Sequence, residues 1–154
     1  MTDDLDPLVT QLVNKVFATM LQMKAEPAPG QAPLPEITPH VAGTIGFSGS
    51  ITGVIHLNCS ETFARTITAT MLGMQEWQID GNEMVNDVLG EITNMIAGNV
   101  ASELRNRGGT CAITIPSIVR GNSFSICHVT GSKSIICNFN CEGNPVVVEL
   151  VLKG

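Results

Sequence analysis

At 154 residues, 44% of them hydrophobic, the chain is long enough to bury one substantial core, and a single domain over 1–154 is expected. A net charge of −6, with aromatics at 4% and no Tyr, excludes a basic, base-stacking nucleic-acid surface. Charged residues make up only 14%, so part of the surface is expected to be hidden in a partner or an oligomer.

The first helix is predicted over 3–23. Asp3, Asp4 and Asp6 with Pro7 supply start signals, and Leu8, Leu12, Val13, Val16, Phe17, Met20 and Leu21 recur at helical spacing. Residues 25–40 hold five of the eight prolines and read as an extended connector, compatible with neither helix nor central strand. Strands over 41–48 and 52–58 flank a Gly49-Ser50 turn and form a hairpin. A helix follows from the N-cap Ser60 to Gly73, with Phe63, Ile67, Met71 and Leu72 on its apolar face. Trp77 and Ile79 sit in a connector expected to pack on the core. A long helix runs from Gly81 to Arg107 and stops at Gly108-Gly109. Strands are predicted over 111–116, 123–130, 134–140 and 146–152, with turns at Gly121-Asn122, Gly131-Ser132 and Gly143-Asn144. The last strand is apolar on both faces, as in a strand covered on both sides or used at an interface. The order predicts an α+β fold: an antiparallel or mixed sheet with the helices packed on one face.

No apolar run is long enough to cross a membrane, and the acidic N-terminus lacks the basic and apolar parts of a signal peptide, so a cytoplasmic protein is expected. Cys59, Cys111, Cys127, Cys137 and Cys141 form no C-x-x-C pair and read as small buried residues of a reducing compartment. His40, His56 and His128 lack metal-ligand spacing, Cys137 and Cys141 read as buried thiols rather than zinc ligands, and Ser48-Gly49-Ser50 lacks a nucleophile elbow.

The long helix carries the one constellation with chemical content. Asp87, Glu91, Asn94 and Gly98 fall at i, i+4, i+7 and i+11, within about 60° of one another, while Val85, Val88, Leu89, Ile92 and Ile96 take the opposite side. The bland alternative is a solvated helix face. Against it, the two acids repel with no Lys or Arg at helical spacing to relieve them. Gly90 and Gly98 each cost up to about 1 kcal/mol relative to Ala, as glycines that let another backbone approach often do. A carboxamide three residues from a carboxylate can accept from a water and donate to a phosphoryl oxygen. No lysine, phosphate-cradling glycine loop or metal cage accompanies the pair, so no metal or cofactor of the chain's own is expected. Charge neutralisation would come from a substrate that is itself a protein with catalytic machinery.

Asp87-x3-Glu91-x2-Asn94, followed after 21 intervening residues by a strand-borne Pro116, resembles the signature of the CheC/CheX chemotaxis phosphatases. The last spacing departs from that signature by one residue, which a loop at Gly108-Gly109 could absorb. The resemblance extends to residues 16–20, to the hairpin around Gly49-Ser50-Ile51-Thr52-Gly53, to Ile92, Asn94 and Gly98, and to Pro116 and Gly121. It implies hydrolysis of the aspartyl phosphate of a CheY-like response regulator, with Asn94 orienting the attacking water and Glu91 engaging the regulator's lysine. Asp87 matches the first motif position as a possible accessory, and Pro116 would be structural. The resemblance further implies Mg²⁺ supplied by the regulator and a homodimer joined through sheet edges. Gln11 and Asn14 repeat the Glu91/Asn94 spacing, but with Gln where a second site needs Glu, which points to the single-site CheX branch. Two other classes stay open: a non-catalytic module docking on a regulator through the same helix, and a small metabolic enzyme, for which no nucleophile, metal site or cofactor loop is found.

Overall fold

Helix α1 (Leu5–Leu21) turns Leu5, Val9, Val13, Val16, Phe17 and Leu21 inward and ends where Gln22 adopts a left-handed φ of 52°. The computed structural model describes residues 4–28, 39–121 and 131–153; the predicted strand at 123–130, with Cys127 and His128, and residues 29–38 of the connector lie outside them. The acidic start signal works differently from the expected cap. Asp4 makes no capping bond and instead accepts from both terminal nitrogens of Arg107, at 2.6 and 2.9 Å, in a fork that ties the start of α1 to the end of the long helix.

The connector at 25–40, expected to hold neither helix nor central strand, contributes an edge strand: Ala25–Pro27 form β1, pairing with β6 (Lys133–Cys141). A proline is tolerated there because an edge strand leaves the missing N–H without a ladder partner to disappoint. The hairpin forms as β2 (His40–Gly49) and β3 (Thr52–Ser60), and β6 turns back into β7 (Asn144–Lys153). That second turn lies at Glu142-Gly143, one residue before the predicted pair; both residues have positive φ (51° and 84°), as a two-residue hairpin of the right twist requires. All pairings are antiparallel, and the sheet runs β1-β6-β7-β3-β2-β4.

The predicted strand at 111–116 breaks. β4 (Cys111–Ile113) and β5 (Ser117–Gly121) both pair with the same edge of β2, and Pro116 lies between them rather than in a strand. Its fixed φ and missing N–H interrupt the ladder, and pairing resumes through Gly121, which had been read as a turn.

Helix α2 (Glu61–Leu72) begins as predicted: the N–H of Phe63 donates to the Ser60 hydroxyl at 3.0 Å, and Gly73 closes the helix at φ 66°. In the connector that follows, Ile79 is buried, but Trp77 is 82% exposed and does not join the core. Glu76–Gln78 form a short 3₁₀ turn, tied to α2 where the Thr66 hydroxyl donates to the Glu76 carboxylate at 2.9 Å, and the indole stays outside. Helix α3 (Glu83–Asn106) ends before Gly108, whose φ is 92°.

The helices cover one face of the sheet. Alternation sends Ile55, Leu57 and Cys59 of β3 and Val146, Val148 and Leu150 of β7 into that core, with Phe17, Phe63 and Ile92 packed against them. Buried Cys59, Cys137 and Cys141 belong to it, and burial pushes their thiols up to about 12, 11 and 11, so they stay protonated. On the other face Val147 is fully buried and Glu149 only 8% exposed, so β7 is covered on both sides. Glu149 stands opposite His56, whose Nδ1 lies 2.9 Å from the Thr44 hydroxyl. Burial raises the Glu149 carboxyl and lowers the His56 imidazole, each toward its neutral form. A carboxyl raised on folding contributes stability below its unfolded pKa and loses it as the pH rises through the folded value. Glu149→Gln is therefore expected to raise Tm at pH 8, with the gain shrinking as the pH falls toward the ordinary glutamate range. Thermal melts of both proteins across that window check it; an equal gain at every pH would rule out the carboxylate charge as the cause.

Candidate active site

Two glycine contacts fix α3 in place. Gly43 of β2 faces Thr93: a Cβ built on Gly43 would lie 3.0 Å from Thr93 Cβ and closer still to its hydroxyl, which itself donates to the Leu89 carbonyl at 2.7 Å. The helix therefore rests on the sheet through Thr93, at a point where β2 carries no side chain. On its flank, Pro116 fills the space beside Gly90, its Cγ 3.3 Å from where a Cβ would sit. Gly90 thus accommodates a proline ring, where the sequence had suggested a backbone. An isolated glycine within a strand signals such an approach, so Gly43 was readable in principle; the Gly90–Pro116 contact spans a loop and was not.

Held this way, α3 buries Val85, Val88, Leu89, Ile92 and Ile96 and turns the polar row outward. Asp87 and Glu91 are exposed and Asn94 is half-buried. Among the described residues, none of the three side chains is engaged in a hydrogen bond or ion pair. Two carboxylates and a carboxamide are thus free to meet something outside the chain, on an element whose other side is locked in the core. A bare phosphate would be repelled by the two acids, so a phosphoryl substrate has to bring its own cations.

Helix α1 runs antiparallel to α3, clamped at one end by the Asp4–Arg107 fork. Between them opens a groove of about 340 Å³ on which Asn94 and Gly98 both border, together with Lys15, Val16, Met20 and Met95. No local sequence pattern points to it, since it depends on how two distant helices dock. Gln11 and Asn14 line a separate open depression with Asp4 and Arg107, and the Asn14 amide is turned back onto the Thr10 carbonyl at 3.2 Å. Among the described residues, no three His, Cys, Asp or Glu side chains cluster where they could hold a metal ion, and no helix is long and apolar enough to cross a membrane.

The sheet and its covering helices are matched by known proteins. The family model described as Chemotaxis phosphatase CheX aligns with residues 41–140, about two thirds of the chain. The chain belongs to the CheX family. CheY-P phosphatase CheX of Thermotoga maritima is 32% identical over 124 residues, covering 77% of this chain and 79% of that protein. Among solved structures, a CheC-like superfamily protein from Shewanella sp. PV-4 superposes with a TM-score of 0.83 at 27% identity, over 100% of both chains. A chain of the CheX-CheY-BeF3-Mg²⁺ complex from Borrelia burgdorferi superposes with a TM-score of 0.81 at 21% identity, again over 100% of both, and shows the shared fold. The CheX-matched segment takes in the whole of α3 with Asp87, Glu91 and Asn94, and Pro116 beside it; α1 lies outside that segment.

Proposed function

We propose that the chain hydrolyses the aspartyl phosphate of a CheY-like response regulator, with Asn94 orienting the attacking water and Glu91 engaging the regulator's lysine. The observation that carries the reading is the outward row of Glu91 and Asn94 on a helix immobilised by the core, in a member of the CheX family. The Asn94 amide accepts a hydrogen bond from water through its oxygen and donates to a phosphoryl oxygen through its nitrogen, which aligns the water for in-line attack. The new O–P bond forms as the P–O bond to the aspartate breaks; the aspartate leaves as a carboxylate and the water's proton passes to the phosphate. A carboxamide cannot act as a general base, so its contribution is positioning. Glu91 needs a cation opposite it, which the regulator's lysine supplies. Magnesium held by the regulator's own residues would neutralise phosphoryl charge.

The reading places the protein in the cytoplasm, where such regulators act, as one domain over 1–154. Asp87 is an accessory group at the rim of the docking face. Self-association through sheet edges completes it: among the described residues the sheet ends in β1 on one side and in β4 and β5 on the other, which leaves short backbone ladders for a second copy.

The deciding experiment follows decay of a radiolabelled phospho-regulator with and without substoichiometric protein. Accelerated decay with turnover is expected. Tight binding with an unchanged decay rate would instead favour a docking module.

A further inference from the structure

Gly98 differs from the other two glycines that shape this region. Gly43 is required by the chain's own packing against Thr93, and Gly90 sits tightly against Pro116. A Cβ on Gly98 would meet nothing within 4 Å, and its backbone is ordinary helix, with no positive φ to demand glycine. Ala would be the better helix former there, so nothing among the described residues accounts for the missing side chain. The space it leaves is the groove between α1 and α3, with Val16, Met20 and Met95 as apolar walls, Asn94 at its border and Lys15 at its rim.

We propose that this groove is the subsite that selects the regulator: an aliphatic or aromatic side chain beside the regulator's phospho-aspartate pocket enters over Gly98, and Lys15 pairs with a carboxylate on the same partner. The proposal rests on the phosphatase reading for the identity of that partner. Asn94 borders both the groove and the polar row, so whatever presents a phosphoryl group to Asn94 also stands over the groove. A second copy seated there would block Asn94. The apolar walls call for an apolar occupant, and two methionine thioethers let the groove adapt to its shape. In a chain of net charge −6, Lys15 enters no ion pair among the described residues, and its charge complements a phosphorylated, acidic partner face.

Gly98→Ala adds its Cβ into open space on a helix, and Gly98→Leu extends from the same position into the groove, so both are expected to fold. Tm is expected to stay level or rise in both. In steady-state dephosphorylation, Gly98→Leu is expected to raise KM about tenfold or more, with kcat within about twofold, as for an apolar pocket closed to its ligand. Lys15→Glu is expected to raise KM about threefold or more and to flatten its dependence on ionic strength. Direct titration with the regulator activated by beryllofluoride and Mg²⁺ is expected to show the same loss for Gly98→Leu. That arm keeps the two readings apart. If the wild-type protein binds the activated regulator without speeding decay, the phosphatase reading fails, while weakened binding by Gly98→Leu still supports the groove. Unchanged KM and unchanged binding in Gly98→Leu would overturn the proposal. So would lost self-association with regulator binding intact, which would assign the groove to a second copy.

Discussion

Replacing Asn94 by alanine is expected to leave the protein folded and to reduce stimulated decay of the phospho-regulator about 100-fold or more, toward the regulator's own rate. The fold survives because the Asn94 side chain makes no hydrogen bond to the described residues and alanine is the better helix former. The rate falls because a methyl group cannot orient water. An acyl phosphate is intrinsically labile, so placing one water in line accounts for a large share of the acceleration, and losing the carboxamide removes that share. The effect should lie in kcat with KM nearly unchanged, which separates this variant from Gly98→Leu. Glu91→Gln should fall between the two, since it keeps the side chain's shape and loses the charge that meets the regulator's lysine. Full activity in Asn94→Ala, in a protein whose circular dichroism matches the wild type, would remove Asn94 from the mechanism.

Gly43→Ala is expected to destabilise the protein at the point where α3 rests on the sheet. The new Cβ would collide with Thr93, whose own Cβ is 3.0 Å away and whose hydroxyl is held by the Leu89 carbonyl. Rotating Thr93 does not help, since its branched Cβ is itself too close. Either α3 lifts from the sheet or β2 bends, at about 1–3 kcal/mol, which lowers Tm by about 3–10 °C in a chain of this size. Thr93 precedes Asn94, so a lifted helix also moves the row of Asp87, Glu91 and Asn94, and activity should drop further than the unfolded fraction explains. The double variant Gly43→Ala/Thr93→Gly opens the same space from the other side and should recover part of both losses; simple additivity of the two changes would place the clash elsewhere.

Much of this molecule was legible in the chain because the relevant interactions are local. Ser60 and Gly73 bound α2 through bonds to residues three or four positions away. The long motif helix was readable because its buried positions recur every three or four residues over 24 residues, a period no strand can satisfy. The same periodicity put Asp87, Glu91 and Asn94 on one side, and their spacing within a family signature gave them roles. Errors fell where local signals conflict with long-range pairing. An apolar run at 111–116 was split by Pro116. Trp77 was expected inside on hydrophobicity alone, but a three-residue turn cannot bring it back to the core.

The sequence by itself determined the α+β class, the family and the row of polar residues on α3, because helical period and motif spacing are properties of neighbouring residues. Only the tertiary structure decided why the three glycines around that row differ. Gly43 and Gly90 are occupied by Thr93 and Pro116, contacts made between residues at least 26 positions apart; Gly98 opens into a groove between helices whose approach no local pattern encodes. A missing side chain reads the same in a sequence whether it makes room for the protein's own packing or for a partner, and the two are told apart by what stands across the gap.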